Sequence, residues 1–311
     1  MTIRVAGLEG HPMLAWLELP SGVELVEGDA ELLVRGVAEE AELDERPSLR
    51  AVIIPWAGVP ARTRERVAAR PPMALHNLHH NAAPTAETAM ALLLAAAKRV
   101  VPFDRTLRGG DWSMRYETST DPLLEGGRAL ILGYGAIGER LARACLGFGM
   151  QVRAIRHAPR GDEAVPCTTM DRLDEELDGL TALLVALPWT PETEGLLDAD
   201  RLARLPDGCC VVNVGRGPII DERALYEELA SGRLRAGLDV WYHYPMSEEE
   251  RGDKPPSKFD FGALDTVVMS PHRAGHCRDI DALRARDLQE LLAAAAEGRP
   301  MPGRVSLERG Y

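Results

Sequence analysis

An α/β fold built on parallel sheets is the class this sequence predicts, and three observations point to it. Short strand-like runs alternate with helical ones along almost the whole chain, the alternation expected of βαβ units. Runs such as 182–187 (Ala-Leu-Leu-Val-Ala-Leu) are apolar at every position, which suits strands buried on both faces of a parallel sheet. Gly133-Tyr134-Gly135-Ala136-Ile137-Gly138 stands between one strand-like run and an amphipathic segment.

In chain order, the N-terminal third offers strands at 2–6, 24–26, 32–36, 50–54 and 73–78, with helical or turn segments between them. A long helix is predicted from Pro84 to about Leu107, kinked or interrupted by Pro102, whose ring cannot sit in a regular helix interior. Residues 111–127 read as a loop. The strand 128–132 then leads into the glycine run and a helix from Ala136 to about Phe148, with Ile137, Leu141, Ala144 and Phe148 on one face. Further strands are expected at 151–156, 181–187, 209–214, 235–240 and 266–269, and a last helix from Asp279 to Glu297.

The 311 residues leave room for two ordinary domains, each with its own core. A net charge of −12 argues against nucleic acid or an anionic membrane as partner. No charged n-region followed by an apolar stretch opens the chain, so no signal peptide is expected. The apolar run 89–97 is too short to span a bilayer. Cys145, Cys167, Cys209, Cys210 and Cys277 form no Cys-x-x-Cys pair. They read as buried thiols of a cytoplasmic protein. His76, His79 and His80, and His272 with His276 at i,i+4 spacing, invite a metal reading, but the sequence shows neither the full ligand set nor the second shell that zinc requires, so no metal is expected.

The glycine run has the strand, helix and second strand that a dinucleotide fingerprint requires. Its first glycine permits the tight turn, the second lets the backbone approach a pyrophosphate, and the third lets helix and sheet pack closely. About 20 residues on, where an acid would hold a ribose 2′-hydroxyl, the chain carries Arg156, followed by His157 and Arg160. Arginine holds a 2′-phosphate bidentately, so NADP(H) is favoured, with NAD(H) as the alternative. A solvated basic turn is the plainer reading of the same residues.

Four further stretches follow in order: 188–193 (Pro-Trp-Thr-Pro-Glu-Thr), 212–221 (Val-Asn-Val-Gly-Arg-Gly-Pro-Ile-Ile-Asp), 237–241 (Gly-Leu-Asp-Val-Trp) and 270–272 (Ser-Pro-His). With the fingerprint, their order and spacing over about residues 50–290 resemble the D-isomer-specific 2-hydroxyacid dehydrogenase family. The resemblance implies two Rossmann-like, doubly wound domains with a cleft between them. Residues 1–83 plus 277–311 would form the substrate domain and 84–276 the dinucleotide-binding domain. It also implies a homodimer held largely by the cofactor domain and the helix near 84–107. The activity implied is hydride exchange between a nicotinamide and a small 2-keto or D-2-hydroxy acid.

The chemistry of that reaction needs a cation for the substrate carboxylate and carbonyl, and a proton donor for the developing alkoxide. By resemblance Arg216 takes the first role, its planar fork spanning both groups, and His272 the second. Asp239 matches the acid that contacts the nicotinamide carboxamide, and Pro188 lies in a cofactor-side stretch. The backbone of 56–59 (Trp-Ala-Gly-Val), chiefly Ala57 and Gly58, would hold the substrate carboxylate, and Asn81 would line the cleft. Trp56, His79, His80, Trp241 and Tyr244 suggest an aromatic-lined cleft.

The pattern breaks at one position. The family carries a glutamate before a proline, which orients the histidine and favours its protonated form. Here 239–245 reads Asp-Val-Trp-Tyr-His-Tyr-Pro, with Tyr244 at the glutamate position. Tyrosine hydrogen-bonds imidazole without supplying charge at neutral pH. Two other readings follow: a hydride-transfer dehydrogenase that needs no Glu–His pair, as in formate dehydrogenases, and a catalytically impaired dinucleotide-sensing protein.

Overall fold

The computed structural model describes residues 2–311 as two compact units. One runs to Ala82 and resumes at His276; the other comprises Ala83–Gly275. No helix among the described residues is long and apolar enough to cross a membrane.

The first unit holds strands β1 (Ile3–Ala6), β2 (Val23–Leu25), β3 (Leu32–Val34), β4 (Ala51–Ile54) and β5 (Ala74–Asn77). They form one parallel sheet in the order β2-β1-β3-β4-β5, a doubly wound arrangement whose strand order reverses between β1 and β3. β4 is buried at all four positions, which explains its unbroken Ala-Val-Ile-Ile. The C-terminal helix Ile280–Ala296 returns to this unit and buries Ala285, Leu288, Leu291 and Leu292 in the same core as Val5, Leu32 and Ile53.

The second unit holds β6 (Arg128–Leu132), β7 (Gln151–Ile155), β8 (Cys167–Thr168), β9 (Ala182–Val185), β10 (Cys210–Asn213), β11 (Arg235–Leu238) and β12 (Val267–Met269). Their order is β12-β11-β10-β9-β6-β7-β8, with every pairing parallel. That is the dinucleotide-binding order extended by one strand, and its switch point lies between β6 and β9. The two-residue edge strand β8 has no counterpart in the sequence reading, because so short a run carries no period.

Four expectations are corrected. The long helix is two, Ala82–Ala97 and Val100–Arg108, and the break falls at Arg99 (φ 50°) rather than at Pro102. Pro102 would clash with the carbonyl four residues back, at Lys98, so the chain breaks there and leaves proline in a first turn, where it is tolerated. In the fingerprint helix Ala136–Gly147 the buried stripe is Gly138, Leu141, Ala142 and Cys145, while Phe148 is exposed. The small residues face inward because they let the helix approach the sheet. Cys145, Cys209 and Cys210 are buried, but Cys167 is half-buried and Cys277 exposed. Trp241 lines no cleft: it packs edge-on against Phe261 in the core and donates its indole N–H to Ser270 O at 2.8 Å.

Candidate functional site

The turn after β6 is shaped by its glycines in three ways. Gly133 has φ +98°, and a Cβ there would stand 2.8 Å from Ala186 O. A Cβ on Gly138 would stand 2.0 Å from Gly133 O. These two positions are demanded by the protein's own packing. Gly135 is different: it is the N-cap of the helix, no side chain caps it, and a Cβ would meet nothing within 4 Å. An open cradle over a helix N-terminus, where first-turn N–H groups lack intrahelical partners, fits a pyrophosphate. Ala136 and Ile137 form the first turn. Tyr134 is buried, and burial pushes its phenol pKa up.

At the end of β7, the Arg156 guanidinium lies 3.1 Å from Glu163, and both side chains are largely buried. The Glu163 carboxylate also accepts N–H bonds from Arg160 (2.6 Å) and Gly161 (2.8 Å), and the Arg160 bond leads in holding its pKa down. His157 and Arg160 are exposed. The sequence reading missed Glu163; its only signal was an acid inside the turn that follows the strand-end arginine.

Pro188, after β9, is half-buried, and its carbonyl accepts the Thr193 hydroxyl at 2.7 Å. Arg216 follows β10 as the N-cap of a short 3-10 turn, Gly217–Ile219. Its loop is wedged in place: a Cβ on Gly215 would stand 2.6 Å from Leu187 O, and one on Gly217 would stand 2.3 Å from Trp241 O. Asn213, buried at the end of β10, accepts from Gly215 N at 3.0 Å and donates to Arg216 O at 2.9 Å. The Arg216 guanidinium itself donates to Gly215 O at 2.7 Å.

Asp239, 1% exposed at the end of β11, accepts from the Ser270 hydroxyl, from Arg273 N (2.8 Å) and from Ala274 N (3.0 Å). Those donors bracket His272, whose φ of +57° is left-handed, a backbone that costs a non-glycine residue energy. The Tyr244 ring lies 5.4 Å from the imidazole, tilted by 54°. Its hydroxyl accepts from Trp241 N at 3.0 Å. Burial raises the Tyr244 pKa, opposed in part by the nearby Arg216 charge.

Arg216, Tyr244 and His272 are thus gathered where β10, β11 and β12 end. Ala57, Gly58 and Asn81 belong to the first unit. There the buried Asn77 side chain donates to Ala57 O at 2.6 Å and so fixes the turn after β4. Ala57, Gly58 and Asn81 are all half-buried.

Residues 90–274 match the model of the D-isomer specific 2-hydroxyacid dehydrogenase NAD binding domain. The chain belongs to this family. It is 29% identical over 316 residues to D-3-phosphoglycerate dehydrogenase of Mycobacterium leprae, covering 98% of this chain and 57% of that protein. With glyoxylate reductase of Korarchaeum cryptofilum it shares 34% identity over 237 residues, 72% of this chain and 66% of the relative. Between about half and two thirds of each of these relatives is therefore spanned. A D-isomer specific 2-hydroxyacid dehydrogenase from Xanthobacter autotrophicus Py2, solved with NADPH and MES, superposes with a TM-score of 0.79 at 27% identity, covering all of both chains.

Proposed function

We propose that this protein is an NADP(H)-preferring oxidoreductase that exchanges hydride between the nicotinamide and a small 2-keto or D-2-hydroxy acid. The observation that carries this reading is the gathering of Arg216, Tyr244 and His272 at the strand ends of a sheet whose switch point holds the open Gly135 cradle. Gly133–Gly138 would hold the pyrophosphate, Arg156 with His157 and Arg160 the 2′-phosphate, and Pro188 would lie on the cofactor side. When bound, the nicotinamide supplies the hydride donor or acceptor. Arg216 binds the substrate carboxylate and polarises its carbonyl, and His272 delivers the proton to the alkoxide oxygen. By family resemblance Ala57 and Gly58 would hold the substrate carboxylate through backbone N–H groups, and Asn81 would lie near the substrate. NADPH in the Xanthobacter relative supports the cofactor preference, and the Korarchaeum relative's name makes glyoxylate the first substrate to try.

The reading extends to a cytoplasmic homodimer. Val100, at 50% exposed, Val101, Leu107 and Trp112, at 61%, leave apolar surface along and after the helix Val100–Arg108, and light scattering of the purified protein tests it.

The deciding experiment follows cofactor oxidation against a panel of 2-keto acids that includes glyoxylate and hydroxypyruvate. Turnover is expected, faster with NADPH than with NADH. Arg216→Lys keeps the charge but loses the planar fork, so it lowers kcat/KM by roughly tenfold or more while cofactor affinity holds. Tight cofactor binding without any turnover would replace this reading with the dinucleotide-sensing one. One observation favours the other enzyme reading: a tyrosine rather than a carboxylate lies against His272. Formate-dependent cofactor reduction would select it.

A further inference from the structure

The carboxylate of Asp239 holds three donors of the protein's own loop, a task beyond that of a cofactor ligand. It stands at the end of β11, 1% exposed, and gathers the Ser270 hydroxyl and the Arg273 and Ala274 N–H groups. The five-residue span it ties down, 270–274, contains His272 in a left-handed backbone conformation at φ +57°. A non-glycine residue stays in that region only when its surroundings over-determine it. Here the surroundings are one donor before His272 and two after it, all fixed to a single carboxylate.

The neighbouring strand repeats the device. Asn213, 1% exposed at the end of β10, holds Gly215 N and Arg216 O, and so sets the loop that carries Arg216. The two clamps are joined directly, because Asp239 N donates to Asn213 O at 3.1 Å. Buried polar groups this well satisfied fix one backbone conformation rather than several.

We infer that Asp239, with Ser270 as its partner, is the positioning residue for His272, paired with Asn213 as the positioning residue for Arg216. The inference rests on the proposed roles of Arg216 and His272. It gives Asp239 a part in the geometry of the proton donor that is additional to any contact with the nicotinamide. A displacement of about 1 Å at a reacting group costs on the order of a hundredfold in rate, so the clamp is expected to register mainly in kcat.

Ser270→Ala removes one donor to the carboxylate without touching the cofactor cradle, and Ser270→Thr restores the hydroxyl. Asp239→Asn replaces one of the two carboxylate oxygens, each of which accepts a loop N–H, with an amide donor. With glyoxylate as substrate, kcat should fall roughly tenfold in Ser270→Ala and on the order of a hundredfold in Asp239→Asn. Ser270→Thr should recover most of the loss, and NADPH affinity of the two Ser270 variants by fluorescence titration should stay within about twofold. A second readout needs no turnover. The His272 imidazole resonances, assigned by their loss in His272→Ala, should shift or broaden in Ser270→Ala and return in Ser270→Thr. Unchanged imidazole resonances in both Ser270→Ala and Asp239→Asn overturn the inference whatever the activity. So does a loss in Asp239→Asn that falls on NADPH affinity alone. Absence of turnover in the unmutated protein would instead overturn the proposed activity and leave the resonance test standing.

Discussion

The two units carry the same kind of sheet, and the turns at their switch points show what separates a fold from a site. After β1, Gly7 has φ +87°, and a Cβ there would stand 2.4 Å from Val34 O. The chain then passes to a 3-10 turn, Pro12–Ala15. That glycine serves packing. After β6, two glycines serve packing in the same way, but the third, Gly135, faces open space at the start of a 12-residue helix. Doubly wound topology alone therefore marks no phosphate site; the open glycine over a full helix does.

Substitution at these two turns gives the largest contrast. Gly135→Val meets no protein atom within 4 Å of its Cβ, so stability should change by less than about 1 kcal/mol, the range of N-cap preferences. Dinucleotide affinity should fall by roughly tenfold or more, the loss expected when charge-assisted hydrogen bonds to a phosphate are blocked. Gly7→Ala should do the reverse, costing at least ~1 kcal/mol of stability through its positive φ and the Val34 carbonyl while sparing cofactor affinity. Urea denaturation and NADPH titration of both variants measure the contrast. Equal dinucleotide affinity in Gly135→Val and the unmutated chain would remove the phosphate reading of that turn.

The units also differ in how they answer acid. His11, His76, His79 and His80 all lie in the first unit, and burial, the leading cause for each, lowers all four pKa values. For His80 the fall from 6.5 reaches about 4, with the Arg284 charge adding to burial. A histidine with a lowered folded pKa is neutral in the fold and takes up its proton on unfolding. Its stabilising effect is complete above pH 6.5 and is lost as pH falls from there toward 4. The loss for His80 amounts to on the order of 2–3 kcal/mol. His80→Gln should flatten the decline in denaturation midpoint between pH 7 and pH 4.5. If the variant declines as steeply as the parent, His80 titrates normally and the burial argument fails.

Legibility from sequence followed the strength of the physical signal. The β6 strand, the fingerprint and the order of the later motifs were readable because strand period, glycine spacing and helix start coincide within a few residues. Of the face expected on Ala136–Gly147, Ile137, Leu141 and Ala144 pack on the core and Phe148 does not; reading bulk as burial favours Phe148. A helix pressed on a sheet instead buries Gly138, Ala142 and Cys145. Asn213 and Ser270 lie inside motifs whose chemistry drew attention to Arg216 and His272. Their roles come from hydrogen bonds across strands, which no local pattern encodes. The break at Arg99 rather than Pro102 shows the same limit, since a proline acts on the carbonyl four residues behind it.

The smallest expected effect bears on what the switch-point turn would read beyond a pyrophosphate. Arg156 was singled out because a strand-end acid is missing, yet Glu163 reaches the same guanidinium at 3.1 Å. A carboxylate returns from the following turn and is held there by Arg160 N and Gly161 N. A 2′-phosphate gripped by Arg156 would lie within a few ångströms of Glu163. Two charges 4 Å apart repel by about 1 kcal/mol in a water-like medium and more where water is excluded. Glu163→Gln keeps one oxygen for the turn and removes the charge, so NADPH affinity should rise about fivefold with NADH little changed. Arg156→Asp should act oppositely and more strongly, weakening NADPH by roughly 1.5–3 kcal/mol. Titrating both cofactors into the three proteins separates the outcomes. If Glu163→Gln shifts neither affinity and Arg156→Asp shifts both alike, the pair braces the loop after β7 and takes no part in telling the two dinucleotides apart.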